Sequence, residues 1–257
     1  MGYKDEYLST KRGYNLLRFF NPLPCMTCNE MEFVESGPFC EECYEQFEKI
    51  LMSSCSMCGG DKDECKCFNI SGIKKMYFLF WYERIRGAYF VSKIKYGGDH
   101  RYISYFGKLI AEEIMKRESK ILFDGVCFVP RSPKNVKERG FDQSKLLAES
   151  VAYYLGLPVL NCLKRVGKAE EQKKLSGGER RLNVKNKFDV SFAHLVNEHG
   201  EIPSKVLLID DVVTTGSTIR ECSYHLRKSS VRSVFVGAIA STPVRKYKKR
   251  RYKRKKY

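Results

Sequence analysis

Between Val206 and Thr218 the chain reads VLLIDDVVTTGST, a stretch that few folds can accommodate. Four consecutive apolar residues, Val206 to Ile209, suit a short strand buried on both faces. Asp210 and Asp211 follow at its carboxyl end, and then a turn carrying Thr214, Thr215, Gly216, Ser217 and Thr218 opens a helix expected from Ile219 to Leu226. The first turn of a helix presents unpaired N–H groups and the positive end of the dipole, which together favour a phosphate. The four hydroxyls add donors around it, and Gly216 lets the backbone approach closely. Ionised carboxylates only accept hydrogen bonds, so Asp210 and Asp211 suit the two hydroxyls of a ribose, directly or through a metal ion on the same ligand. An ordinary Asp turn with a Ser or Thr cap would account for one acid and one hydroxyl, not for both acids with four hydroxyls and a glycine.

The surrounding sequence supplies the sheet this strand needs. Val126 to Val129 and Val234 to Ile239 read as strands. Leu146 to Leu155 reads as a helix stopped by Gly156 with Pro158 just beyond. Phe106, Leu109, Ile110, Ile114 and Met115 recur at helical spacing, while the aromatic run from Met76 to Tyr96 resembles a strand or hairpin leading into the main domain. Strands alternating with helices predict an α/β fold with a parallel sheet covered on both faces, beginning near residue 70. After Val129 the turn PRSPKNVKERGFDQ, stiffened by two prolines, carries Arg131, Ser132 and Lys134 in a basic setting suited to pyrophosphate. The polar stretch from Lys164 to Lys187, with Gly177 and Gly178 at its middle, is too long for an ordinary turn and is expected to be a mobile functional loop.

Eight of the eleven cysteines fall between Cys25 and Cys67. Cys25 and Cys28, Cys40 and Cys43, and Cys55 and Cys58 are CxxC pairs; Cys65 and Cys67 form a CxC. Such spacing lets two thiolates reach one ion at about 2.3 Å each. A segment this short has little core of its own, so metal binding would supply its folding energy. The simplest count is two structural zinc sites of four thiolates. Pairing neighbours gives Cys25, Cys28, Cys40 and Cys43 at one and Cys55, Cys58, Cys65 and Cys67 at the other, and an interleaved arrangement would use the same residues. Disulfides and iron–sulfur ligation are the competing uses of the thiols. Cys127, Cys162 and Cys222 stand alone in apolar contexts and read as packing residues.

The formal charge is +17, and ten Lys and Arg between Arg245 and Tyr257 account for much of it, leaving +7 elsewhere. That tail interleaves Tyr247, Tyr252 and Tyr257 with cations, which can neutralise phosphates and stack on bases; alone it should be disordered. No apolar run approaches the roughly 20 residues of a membrane helix, so an integral membrane protein is not expected. The first 20 residues lack a secretory signal pattern, pointing to a cytoplasmic address.

Taken together, WYERIRGAYFVSKIKYGGD (Trp81 to Asp99), the PRSPKNVKERGFDQ turn, the segment with Gln172, Leu175, Arg180, Asn183 and Phe188, and the TTGST loop resemble the ComF competence-protein family over nearly the whole chain. The acidic pair with the TTGST loop is similar to the phosphoribosyl pyrophosphate motif of type I phosphoribosyltransferases. The resemblance implies a small N-terminal zinc ribbon followed by a phosphoribosyltransferase fold. The chain then divides into an extension or helix over 1–20, a double zinc-ribbon module over 21–70, a phosphoribosyltransferase-type domain over 71–243 and a basic tail over 244–257. Asp210 and Asp211 would take the ribose and magnesium, and Thr214 to Thr218 the 5′-phosphate. Arg131, Ser132 and Lys134 would take the pyrophosphate, and the stretch from Lys164 to Lys187 would be the hood. Lys168, Lys173, Lys174, Arg180 and Arg181 are equivalent candidates for electrostatic partners within that hood, and no catalytic acid or base stands out.

The function implied is assistance to single-stranded DNA handling during natural transformation, with phosphoribosyl pyrophosphate as ligand. A DNA-translocating helicase and other competence proteins at the inner face of the membrane would be the partners. The alternatives are an active phosphoribosyltransferase that releases pyrophosphate, and a zinc-ribbon binder of RNA. Two departures from the family pattern are Asp142, where Asn is usual after Gly-Phe, and the long basic tail.

Overall fold

Four apolar strands pair side by side in a parallel sheet. The computed structural model describes residues 24–30, 38–51, 70–82, 85–96, 100–120, 123–133, 136–137, 140–166, 187–197 and 199–242. The elements are α1 (Glu41–Leu51), β1 (Ile73–Trp81), α2 (Ile85–Tyr96), α3 (His100–Arg117), β2 (Gly125–Phe128), α4 (Gln143–Leu155), β3 (Leu163–Arg165), β4 (Phe188–Val190), β5 (Lys205–Val213), α5 (Ser217–Lys228) and β6 (Ser233–Ser241). The sheet order is β1-β6-β5-β2, every pairing is parallel, and an isolated bridge from Val126 to Val159 lies beside β2.

The expected parallel α/β class is therefore observed, with both faces covered. One face packs Leu207 and Ile209 of β5 against Ile103, Phe106 and Ile110 of α3 and Leu147 and Val151 of α4. The other packs Val206 and Leu208 against Ile219, Cys222 and Leu226 of α5. Each of these large side chains, fully removed from water, contributes roughly 1.5–3 kcal/mol. Helices α3 and α4 meet closely at Gly107, where a Cβ would fall 2.4 Å from the Ser150 side chain, and the Ser150 hydroxyl donates to the Ser104 carbonyl at 2.8 Å. At its far end α3 is tied to β1, since Glu118 accepts from Tyr77 Oη at 2.7 Å and from Lys75.

Three local expectations change. Of the strand or hairpin expected from Met76 to Tyr96, a strand forms and no hairpin: β1 is an edge strand of the main sheet, paired with β6, and helix α2 takes the rest of the run. Six consecutive buried residues from Met76 to Trp81 explain why no alternation showed. Strand β5 continues through both acids to Val213, because Asp210 to Val213 keep pairing with β6. The polar stretch from Lys164 begins and ends in a short antiparallel ladder, β3 with β4, and residues 167–186 between them lie outside the described residues. The N-terminal 1–20 and the basic tail over 244–257 lie outside them too. No described helix is long and apolar enough to cross a membrane.

Candidate functional site

The chain leaves β2 and β5 in opposite directions. After β2 it turns into α4 on one face, and after β5 into α5 on the other. Such a divergence opens a crevice at the carboxyl ends of the two strands, the usual ligand position in open α/β sheets. Arg131 enters the crevice from the loop after β2, and its guanidinium is paired with Asp211 at the end of β5. The Arg131 Nε atom is buried without a hydrogen-bond partner. A buried guanidinium that keeps an unused N–H is suited to an additional anion, because leaving such a donor unpaired costs free energy.

Asp210 lies next to that pair. Its carboxylate accepts from the Asp211 amide at 2.9 Å and from Ser144 Oγ at 3.4 Å, the latter carried by the first turn of α4. Burial and the neighbouring Asp211 carboxylate push Asp210 well above the usual carboxylate range, and the Asp211 amide and Arg131 only partly oppose this. Two adjacent carboxyl groups beside one guanidinium suit a hydroxyl-bearing ligand or a hard cation such as magnesium.

The TTGST turn follows directly. Gly216 is the residue before α5, with φ of 68° and no side chain capping the helix start. A Cβ at this position would fall 2.2 Å from Ile70 Cδ1, so both the conformation and the space require glycine. The exposed Thr214 is fixed through its carbonyl, which accepts from Thr242 Oγ1 at 2.9 Å. Thr215 Oγ1 lies 3.0 Å from Ser217 Oγ. Thr218, half-buried in the first turn of α5, completes the set.

Of the expected pyrophosphate-loop residues, Arg131 meets the acids, Ser132 follows it in the same loop, and Lys134 lies outside the described residues. Asp142 gains a clear part. It caps α4 by accepting from the Ser144 and Lys145 amides, and its second oxygen accepts from the Arg131 amide at 3.0 Å. It thereby fixes the loop that delivers Arg131. Ser144 was missed from sequence, although an Asp two residues before it, ahead of an apolar helical run, is a recognisable helix-start signal.

The second cluster sits on α1 and the turn before it. The sulfurs of Cys25, Cys28, Cys40 and Cys43 all lie within 4.8 Å of one another, and the Sγ atoms of Cys28 and Cys40 are 3.7 Å apart. A tetrahedral ion holding sulfur at about 2.3 Å separates the sulfurs by about 3.8 Å, so this set could hold a metal such as zinc. Burial opposes ionisation of Cys25, but backbone hydrogen bonding at Cys28, Cys40 and Thr27 holds its thiol down to about 7. Cys55, Cys58, Cys65 and Cys67 lie outside the described residues, whereas Cys127, Cys162 and Cys222 are fully buried in the core as expected.

The four-cysteine turn is docked on the sheet domain. Tyr89 of α2 donates to the Thr27 carbonyl at 2.7 Å, and Tyr102 of α3 to the Pro24 carbonyl at 2.9 Å. Phe39 stacks on Phe47 of α1 at 4.7 Å between ring centroids, and Phe47 meets Phe80, Phe90 and Phe106 edge-on.

No family model matches the chain. Curated relatives do. The chain is 26% identical to Competence protein F of Haemophilus influenzae over 237 residues, 88% of this chain and 99% of that protein. It is 28% identical to Competence protein ComFC of Streptococcus pneumoniae over 203 residues, 76% of this chain and 84% of that protein. It is 32% identical to the DNA utilization protein YhgH of Salmonella typhi over 140 residues, 52% of this chain and 57% of that protein. Among solved structures, glutamine phosphoribosylpyrophosphate amidotransferase from B. subtilis matches 63% of this chain and 29% of its own at 21% identity and a TM-score of 0.36. Orotate phosphoribosyltransferase from Aeropyrum pernix matches 57% of this chain and 64% of its own at 18% identity and a TM-score of 0.34. The ComF-family resemblance carried by the motifs is thus met by the chain's curated homologues, which are Competence protein F, ComFC and YhgH.

Proposed function

We propose that the chain binds phosphoribosyl pyrophosphate with magnesium in the crevice between β2 and β5, and that it uses this site while handling single-stranded DNA in natural transformation. One observation carries the ligand reading: Arg131 and Asp211, 80 positions apart in sequence, pair beside Asp210 at the strand ends, ahead of a hydroxyl-rich turn that begins a helix. In this arrangement Asp210 and Asp211 take the ribose hydroxyls and the cation, and Thr214 to Thr218 take the 5′-phosphate. Arg131, with Ser132 and Lys134, takes the pyrophosphate through donors such as its unused Nε–H. Magnesium would be held by the two aspartates and would neutralise the pyrophosphate charge. The DNA reading is supported by relatives named for competence and DNA utilization and by the formal charge of +17.

On this reading the remaining thiols, Cys55, Cys58, Cys65 and Cys67, form a second structural zinc set in a module over 21–70, ahead of the ligand-binding domain over 71–243. A DNA-translocating helicase and other competence proteins are the partners at the inner face of the membrane. The test is thermal protection. At about 100 times its dissociation constant a ligand stabilises by about 2.7 kcal/mol, so phosphoribosyl pyrophosphate with magnesium should raise the melting temperature of the full chain measurably while magnesium alone does not. No rise at millimolar ligand would reject the site. Release of pyrophosphate that depends on an added base would move the reading from ligand binding to phosphoribosyl transfer.

A further inference from the structure

Helix α5 has a second face that the ligand site does not use. Its buried side is Ile219, Cys222, Ser223 and Leu226. On the opposite side Arg220, Tyr224, Arg227 and Lys228 are all exposed, and Tyr224 is the most exposed large apolar residue of the described chain at 61%. At 100° per residue these four fall within one narrow stripe, because spacings of four, seven and eight bring side chains back to the same face. The acid on this helix, Glu221, lies at the flank of the stripe and accepts from the Lys187 amide. Strand β4 packs beside α5, and its partner β3 adds the exposed Lys164 and Arg165, the latter seated over the Phe188 ring. The face thus carries more cations than acids, the exposed Asp189 of β4 lying opposite Lys164, and the exposed Tyr224 ring stands in its middle, edge-on to His225.

An exposed ring alone is ordinary on a protein surface; here it lies within a stripe of three cations on one helix face. Cations spaced along one line with a ring between them match one chemistry: phosphates along a flexible strand, and a base that can leave its neighbours and stack. Duplex DNA offers the phosphates but keeps its bases stacked inward. A stretch of 12 residues spans about 18 Å, room for roughly three nucleotides. The stripe also begins where the hydroxyl turn ends.

We propose that the outer face of α5 is a binding track for single-stranded nucleic acid, with Arg220, Arg227 and Lys228 on successive phosphates and Tyr224 stacked on a base. The proposal rests on the DNA-handling reading above and assigns it a surface. Its residues are other than those assigned to the ligand crevice and those of the basic tail.

The experiment is fluorescence anisotropy of the full chain with a labelled oligo-dT of a dozen nucleotides across a salt series. Tyr224→Ala should weaken binding by about ten-fold, the scale of one lost base stack, and Tyr224→Phe should restore it. Arg220→Ala with Arg227→Ala and Lys228→Ala should reduce the log–log salt slope by about 2, which corresponds to three single-strand phosphates. Unchanged melting temperatures confirm that these exposed substitutions leave the fold intact. If the wild type binds and every variant binds equally, the track is elsewhere and only this inference fails. If Tyr224→Ala has no effect while the cation variants weaken oligo-dT and a base-free polyphosphate alike, the face is a general anion surface and the proposal is overturned. If the wild type binds no oligonucleotide, the DNA-handling reading itself falls.

Discussion

The four-cysteine turn with α1 and the crevice between β2 and β5 are built on opposite principles. Around the cysteines almost everything is apolar and interlocked: Phe47 is fully buried, and its cluster runs without a break from Met26 and Phe39 into Leu207 and Ile209 of the sheet. At the strand ends the fold instead places two carboxylates side by side, buries a guanidinium nitrogen without a partner and opens a helix with glycine. The first region gains stability from every contact. The second gives some away, which is the pattern expected where a protein keeps groups for a ligand. The contrast also shows that the small thiol-bearing unit is no loose attachment, since its core is continuous with that of the sheet.

The largest expected effect tests that continuity. Phe47→Ala should cost about 3–5 kcal/mol of global stability, measured by denaturant unfolding of the whole chain. A cost below about 1 kcal/mol would mean that the unit folds apart from the sheet. Next comes the metal. The chain has one tryptophan, Trp81, buried on the sheet face away from the cysteine cluster. Chelation should therefore lower the melting midpoint read from Trp81 fluorescence by about 5–10 °C, the shift produced by roughly 2–3 kcal/mol in a domain of this size. An unmoved Trp81 midpoint would separate the two regions energetically.

The smallest effect belongs to the crevice and has the opposite sign. Because burial and Asp211 raise Asp210, the native protein holds this proton more tightly than the unfolded chain does. The associated stability is complete below the unfolded carboxylate range, near pH 4, and is lost as pH rises through the raised native value. Asp210→Asn keeps the shape without that loss. Its melting temperature should match the wild type near pH 4 and exceed it by a few degrees, about 1 kcal/mol, at pH 8. A variant less stable than wild type at pH 8 would show that Asp210 strengthens the fold.

What was readable in the sequence follows the same division. Apolar runs bounded by turns marked β2, β5 and β6, and the Gly156 stop fixed the end of α4, where the glycine takes φ of 67°. The cysteine spacings allowed a neighbour or an interleaved pairing, and the closeness of Cys25, Cys28, Cys40 and Cys43 fits the first. The place of β1 was not readable, because a run buried on both faces carries no sign of which strand it will join, and its partner β6 lies some 160 positions later. The β3–β4 ladder is only three residues on each side, too short for any periodicity. Within the crevice the residue types were legible, whereas the pairing of Arg131 with Asp211 and the reach of Ser144 to Asp210 exist only after the sheet has closed.

The most direct test of the ligand crevice is a calorimetric titration with phosphoribosyl pyrophosphate and magnesium, comparing wild type with the Asp210→Ala/Asp211→Ala variant. Removing two charge-assisted contacts costs about 3 kcal/mol or more, so the wild type should give a saturable one-site isotherm and the variant should bind at least about 100-fold more weakly. Indistinguishable affinities for the two proteins would contradict the assignment of the crevice to this ligand.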